Sequence, residues 1–253
     1  SLIVYRKVFT LVALGKNPGR FDHPVRRVLG SLPLILGQRK VLQSVSLVRD
    51  RAGLAHAFIF WGFLSFLTSY LLFIFADSAW RPLSSTVLTE TGVEIFVFYL
   101  DLLAVGFLFV LAWAAIRRWG VRPSRLSFDL TQKAESALIL ALISMLMVLT
   151  LLTEAFFWVA SSGEGPHATA PIGSAIGRLF DSWGLGDGVA NGLHGLAWWS
   201  HLGLILGFSL YIPLSKHMHI IAAPLSFLGR SLETSGTLST PKDLETSETF
   251  GAA

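Results

Sequence analysis

The sequence predicts an all-α protein, a polytopic bundle of transmembrane helices, on three observations. Of its 253 residues 53% are hydrophobic and 14% charged, against roughly 25% charged in an ordinary soluble domain, and the mean hydropathy is +0.61. Apolar runs occupy roughly residues 55–76, 93–116, 134–160 and 194–214, each near or above the roughly 20 residues that a bilayer requires. The connectors between these runs alternate in charge, as the two sides of a membrane demand.

Taken in order, the chain opens on SLIVYRKVFTLVALGK, which reads as the end of a helix leaving a membrane. Five spans are therefore expected in the intact protein, four of them complete here. Residues 1–54 combine that helix end with a basic segment bearing Lys16, Arg20, Arg26, Arg27, Arg39, Lys40, Arg49 and Arg51. The connector 117–133 carries Arg117, Arg118, Arg122, Arg125 and Lys133, whereas the alternate connectors hold one basic residue each, Arg81 and Arg178. The basic set is expected to face the cytoplasm.

Residues 55–228 form the expected bundle. Within its long outer connector, 161–193, an apolar stretch from Ile176 to Leu185 reads as a short interfacial helix. Trp158, Trp183, Trp198 and Trp199 flank it as an aromatic belt. Residues 229–253 turn Ser/Thr/Glu-rich and read as a cytoplasmic linker toward an iron-sulfur domain or partner.

Composition also excludes chemistries. Cysteine is absent, so disulfides, thiolate-held iron-sulfur clusters and thiol nucleophiles have no place within these residues, and redox chemistry here needs a cofactor held by other ligands. The net charge of +4 lies between apolar runs rather than in one patch, which argues against nucleic acid and for membrane lipids as the partner.

Ionisable residues inside a membrane are costly, so each is a functional candidate. His201 and His219 are eighteen residues apart. On one continuous helix that is five turns, with both rings on one face about 27 Å apart. His56 begins another span at the same expected level as His219, and the two could clamp one haem iron between neighbouring helices. The competing reading makes both interfacial histidines bonded to headgroups or backbone, and the residues alone weigh the two about equally.

His217 stands about 200° from His219 around a helix and so faces away, although Pro213 can kink the helix and blur that register. Gly53, Gly62, Gly106, Gly203 and Gly207 would admit a macrocycle or another helix. His23 and His167 read as solvated loop residues beside Pro24 and Pro166.

Toward the expected outer side, Asp101, Glu154, His194, His201 and Tyr70 fall at comparable depth. Such a cluster suits a quinone site, because quinone chemistry matches two electrons with two protons. Helix–helix hydrogen bonding explains Asp101 and Glu154 equally well.

The stretch from His201 to His219, with its Leu/Gly-rich interior, Pro213, Ser215 and Lys216, resembles the fifth helix of the cytochrome b (gamma) subunit of respiratory nitrate reductase. Heterodisulfide-reductase-type complexes share that fold. GQRKVLQ at 37–43, RAGLAHAFIFWGF at 51–63 and LSKHMHIIAAPLSF at 214–227 resemble the membrane domain of electron-transfer-flavoprotein:menaquinone oxidoreductases. The resemblance implies a quinone-linked oxidoreductase of the bacterial cytoplasmic membrane. It implies a b-type cytochrome domain that exchanges electrons between a cytoplasmic iron-sulfur or flavoprotein partner and menaquinone, with iron-sulfur clusters only outside these residues. Quinol oxidation in a nitrate- or heterodisulfide-reductase-type complex is the alternative, and a non-redox anchor the reading from another class.

Carried over residue by residue, the pattern implies His56 and His219 as axial ligands of a haem b. His201 matches the ligand of a second, outer haem, whose partner the nitrate reductase pattern expects ten residues after His56. Phe66 stands there. Met145, Met147 and His194 are poor substitutes, so His201 belongs either to a second haem or, with Asp101 and Glu154, to the quinone and proton site.

Overall fold

A computed structural model describes residues 22–43, 45, 51–72, 83–121, 130–164 and 169–232, with residues 6 and 10 besides. His167, most of residues 1–21 and residues 233–253 lie outside them. Among the described residues every regular element is helical: α1 Pro24–Ile35, α2 Ala52–Ser69, α3 Leu83–Ala115, α4 Leu130–Ala160, α5 Pro171–Ser182, α6 Asp187–Tyr211 and α7 His219–Leu228. A single turn, Arg39–Leu42, precedes α2.

Four helical stretches are long and apolar enough to cross a membrane: Ala52–Leu72, Leu88–Val121, Lys133–Ala160 and Asp187–Leu214. They coincide with the four expected runs, and the fold is the expected all-α polytopic bundle. The expected interfacial stretch also forms a helix, α5, displaced toward Pro171, where proline suits the first turn because its missing N–H would have no intrahelical partner.

Helix α4 is the spine, packing against α3, α5 and α6, while α2 packs on α3. The core joins Phe66 of α2, Leu103, Ala104, Phe107 and Leu111 of α3, and Leu146, Met147 and Leu151 of α4. Two glycines let α2 and α3 interlock: the Phe107 ring fills the space a Gly62 side chain would need, and the Phe58 ring does the same at Gly106. The two rings then meet with centroids 5.7 Å apart. Helix packing therefore accounts for these glycines, and for Gly53, which abuts Val41 and Val45. Gly203 and Gly207 border open space.

The single-helix register of His201 and His219 does not survive folding. Helix α6 ends at Tyr211, and two 3₁₀ turns, Ile212–Leu214 and Lys216–Met218, flank an extended Ser215 (φ −117°, ψ 176°) before α7 begins at His219. Pro213 supplies no N–H to continue the α-helical ladder. Ser215 then starts a new turn, its hydroxyl accepting the His217 N–H at 3.1 Å. His201 and His219 thus sit on different helices. His217 and His219 are not opposed either, their ring centroids lying 5.9 Å apart.

Helix α1 is tied to the far end of α7. The Arg27 guanidinium, 7% exposed, donates to the carbonyls of Asp22 (2.8 Å), Leu228 (3.3 Å) and Arg230 (2.6 Å) and pairs with the Asp22 carboxylate. Ser31 donates to the Phe227 carbonyl at 3.0 Å, and Arg230 returns a bond to the Gly30 carbonyl at 2.9 Å. Arg27 therefore satisfies carbonyls left open at a helix C-terminus. Its hydrogen bond holds the Asp22 carboxyl below the ordinary 3.8. Ionised Asp22 supports this junction above that pH, and the support is lost as the pH falls through the lowered value. Arg27→Ala is expected to weaken the α1–α7 junction by about 2 kcal/mol, roughly 30-fold in its opening equilibrium. Faster hydrogen exchange in α1 and the end of α7, with α4 unchanged, is the measurement that checks it.

Candidate functional site

Two clusters form at opposite ends of α2. At its start, the His56 and His219 rings face each other with centroids 6.1 Å apart and planes inclined by 44°. An imidazole–metal–imidazole unit with bonds of about 2 Å holds its ring centroids about 6 Å apart. The His219 Nδ1–H donates to the Lys216 carbonyl at 2.7 Å. A carbonyl can only accept, so Nδ1 carries the proton and Nε2 keeps its lone pair for a metal, the orienting contact usual for ligating histidines.

Lys216 is fixed in turn by α4. Glu135 accepts the Lys216 backbone N–H at 3.0 Å and pairs with its ammonium group at 3.1 Å. His217, by contrast, packs on Phe208 with centroids 5.4 Å apart, and its buried Nδ1 has no hydrogen-bond partner among the described residues. Burial foremost, together with the neighbouring His219, lowers its basicity below that of ordinary histidine.

Among the described residues no three His, Asp or Glu side chains converge as a bare ion would need. Two facing imidazoles suit a metal that brings its own equatorial ligands, as haem iron does. The donor set at His56 and His219 therefore fits a haem.

The second cluster surrounds a cavity of about 450 Å³ lined by Tyr70, Asp101, Glu154, His194 and His201, with Phe66 and Trp198 among its apolar walls. All five polar residues expected at this depth thus meet in one place. Helix α2 widens to a π turn at 70–72, a distortion frequent at functional sites. There the Tyr70 hydroxyl meets His201 Nε2 at 2.9 Å. His194 places Nδ1 3.1 Å from the Thr153 carbonyl. The residue paired with His201 is therefore Tyr70, one turn beyond Phe66, while Phe66 is buried against Tyr70 and Phe107.

Met145 is half-exposed and Met147 lies in the core; neither lines the cavity. His23 is an exposed residue preceding α1, in left-handed backbone conformation, with Nε2 3.8 Å from the Asp22 carboxylate.

Asp101, 2% exposed, has both oxygens engaged. Oδ2 accepts the Ile172 N–H at 2.6 Å and Oδ1 the Gly173 N–H at 3.0 Å. A carboxylate on α3 thus caps the first turn of α5, where unpaired N–H groups and the helix dipole favour negative charge. Gly173 lets α5 sit directly on Glu154. Asp101→Ala is expected to loosen α5 by about 2–4 kcal/mol. Its Ile172 and Gly173 amides should then exchange faster while α4 stays protected, and unchanged protection would contradict the cap.

No family model matches the chain, and no solved structure matches it. Two curated proteins do. The chain is 29% identical over 244 residues to the probable iron-sulfur-binding oxidoreductase FadF of Bacillus subtilis, covering 95% of this chain and 32% of that protein. It is 27% identical over 240 residues to the EtfAB:quinone oxidoreductase of Syntrophomonas wolfei, covering 92% and 32%. The chain therefore spans about a third of the length of the curated relatives it matches.

Sequence reading missed the direct Tyr70–His201 bond and the Glu135–Lys216–His219 relay. Both join residues far apart in the chain, and neither has a local sequence signature.

Proposed function

We propose that this chain is the membrane domain of a quinone-linked oxidoreductase, a b-type cytochrome domain that carries electrons between a cytoplasmic iron-sulfur or flavoprotein partner and menaquinone. The His56–His219 pair carries the proposal, and similarity to two oxidoreductases, one of them quinone-linked by name, supports it. His56 and His219 hold one haem b. When bound, that group supplies a one-electron carrier.

The cavity at Tyr70 and His201 is the quinone site. Reducing a quinone takes two electrons and two protons, and groups that donate hydrogen bonds to its carbonyl oxygens and then release protons assist both transfers. The Tyr70–His201 hydrogen bond at the cavity supports these two as the donors, with Glu154, which also lines it, as the proton-exchanging carboxyl. Asp101 acts here by positioning α5. Electrons are taken to run toward menaquinone, from an electron-transfer flavoprotein through iron-sulfur clusters outside these residues.

The bundle sits in the bacterial cytoplasmic membrane, the basic connectors and the C-terminal tail inside. The proposed partner of residues 229–253 is an iron-sulfur domain or subunit, and similarity to a relative named iron-sulfur-binding supports a partner of that class. Purified protein reduced with dithionite should show b-type absorption bands and about one haem per chain by pyridine haemochrome assay. A colourless protein refutes the proposal.

A further inference from the structure

Helix α1 is amphipathic in the inverted sense. Its polar Arg27 and Ser31, 7% and 1% exposed, face the protein, whereas Val25, Val28, Leu29, Leu32 and Leu36 are exposed, Val25 by 69% and Leu29 by 62%. At 3.6 residues per turn those five fall within an arc of about 100° on the side away from Arg27 and Ser31. A helix bathed in water would turn the other way. We infer that α1 lies in the plane of the membrane, its apolar stripe immersed in the lipid leaflet on the side of the basic connectors.

Three further observations identify lipid as the occupant. The helix docked beside α1, α7, also exposes apolar side chains, Ile221 and Leu225. Residues 24–43 contain no acidic side chain but four basic ones, Arg26, Arg27, Arg39 and Lys40. Arg27 is spent on α7, while Arg26, Arg39 and Lys40 are exposed, which suits anionic headgroups beside an immersed apolar face. Finally, the turn that follows α1 packs on α2, one of the membrane-length helices. The inference is independent of the haem and quinone assignments.

These 253 residues contain no cysteine, so each introduced cysteine is the single thiol within them. Single substitutions Val25→Cys, Val28→Cys and Leu32→Cys in the stripe, and Gln43→Cys beyond it, are labelled with an environment-sensitive fluorophore. The full chain is then reconstituted in phosphatidylcholine–phosphatidylglycerol vesicles, circular dichroism verifying the fold of each variant. The three stripe positions should emit at shorter wavelength. They should be quenched more by lipids spin-labelled near the headgroup than at the chain end, as immersion by about 5–10 Å requires; Gln43→Cys should show neither effect. Stripe cysteines that escape quenching and react with a membrane-impermeant maleimide face water, and the inference fails. If they escape quenching and resist the reagent, protein covers them, and it fails equally. Equal quenching at Gln43→Cys overturns the in-plane orientation.

Discussion

His219→Ala is expected to abolish the b-type haem spectrum of the proposed site, His56→Ala should do the same, and His217→Ala should leave it in place. Loss is expected to be complete because His56 and His219 would be the haem's protein ligands in the proposed site, and among the described residues no group of three His, Asp or Glu side chains is arranged to hold a metal. The choice between His217 and His219 rests on tertiary geometry. The His219 ring faces His56 across 6.1 Å with its Nδ1 proton committed to the Lys216 carbonyl, whereas the His217 ring lies against Phe208. Imidazole added to the His219→Ala protein should restore part of the absorption, which a merely unfolded variant could not do. Retention of haem in His219→Ala with loss in His217→Ala would reverse the assignment.

The second large effect is expected at the cavity. His201→Ala should lower menaquinone reduction by about 10²-fold or more, with the haem content and spectrum of the unaltered protein retained. Tyr70→Phe keeps the ring that stacks on Phe66 but removes the hydroxyl that meets His201 at 2.9 Å. It should therefore slow the reaction in the same direction without disturbing the fold. Stopped-flow oxidation of the reduced protein by a menaquinone analogue reads both rates. If His201→Ala instead removes half of a starting complement of two haems, His201 is an axial ligand and the quinone site lies elsewhere.

These expectations were unequally legible in the sequence. His56 and His219 stood out because ionisable residues in apolar runs are rare and because the surrounding motifs resemble a known membrane domain. The reason first available for pairing His219 with His201, a shared helical face, was nevertheless broken by Pro213 and Ser215. Depth along each span brought Tyr70, Asp101, Glu154, His194 and His201 to one level, and the cavity lining agrees. Depth does not specify rotation about a helix axis or hydrogen-bond partners. The Tyr70–His201 bond, the α5 cap made by Asp101 and the Glu135 anchor for Lys216 therefore became visible only after folding.

Helix α1 shows the same division in a short segment. Its apolar periodicity is plain in the sequence, but periodicity alone would have turned the leucines inward. Arg27 and Ser31 reverse the helix by binding the end of α7, because a buried guanidinium needs acceptors and a helix C-terminus has carbonyls to offer.

By itself the sequence determined the fold class, the four apolar membrane-length helices, the alternation of charge between connectors and the comparable depth of Tyr70, Asp101, Glu154, His194 and His201. Those follow from chain length, hydropathy and local spacing, which act along the chain. The tertiary structure alone decided where the last span breaks, which histidine faces His56, what meets His201 and which face of α1 looks outward. Those depend on helix rotation and on contacts between residues as many as two hundred positions apart, as between Arg27 and Arg230, and hydrophobic patterning leaves both open.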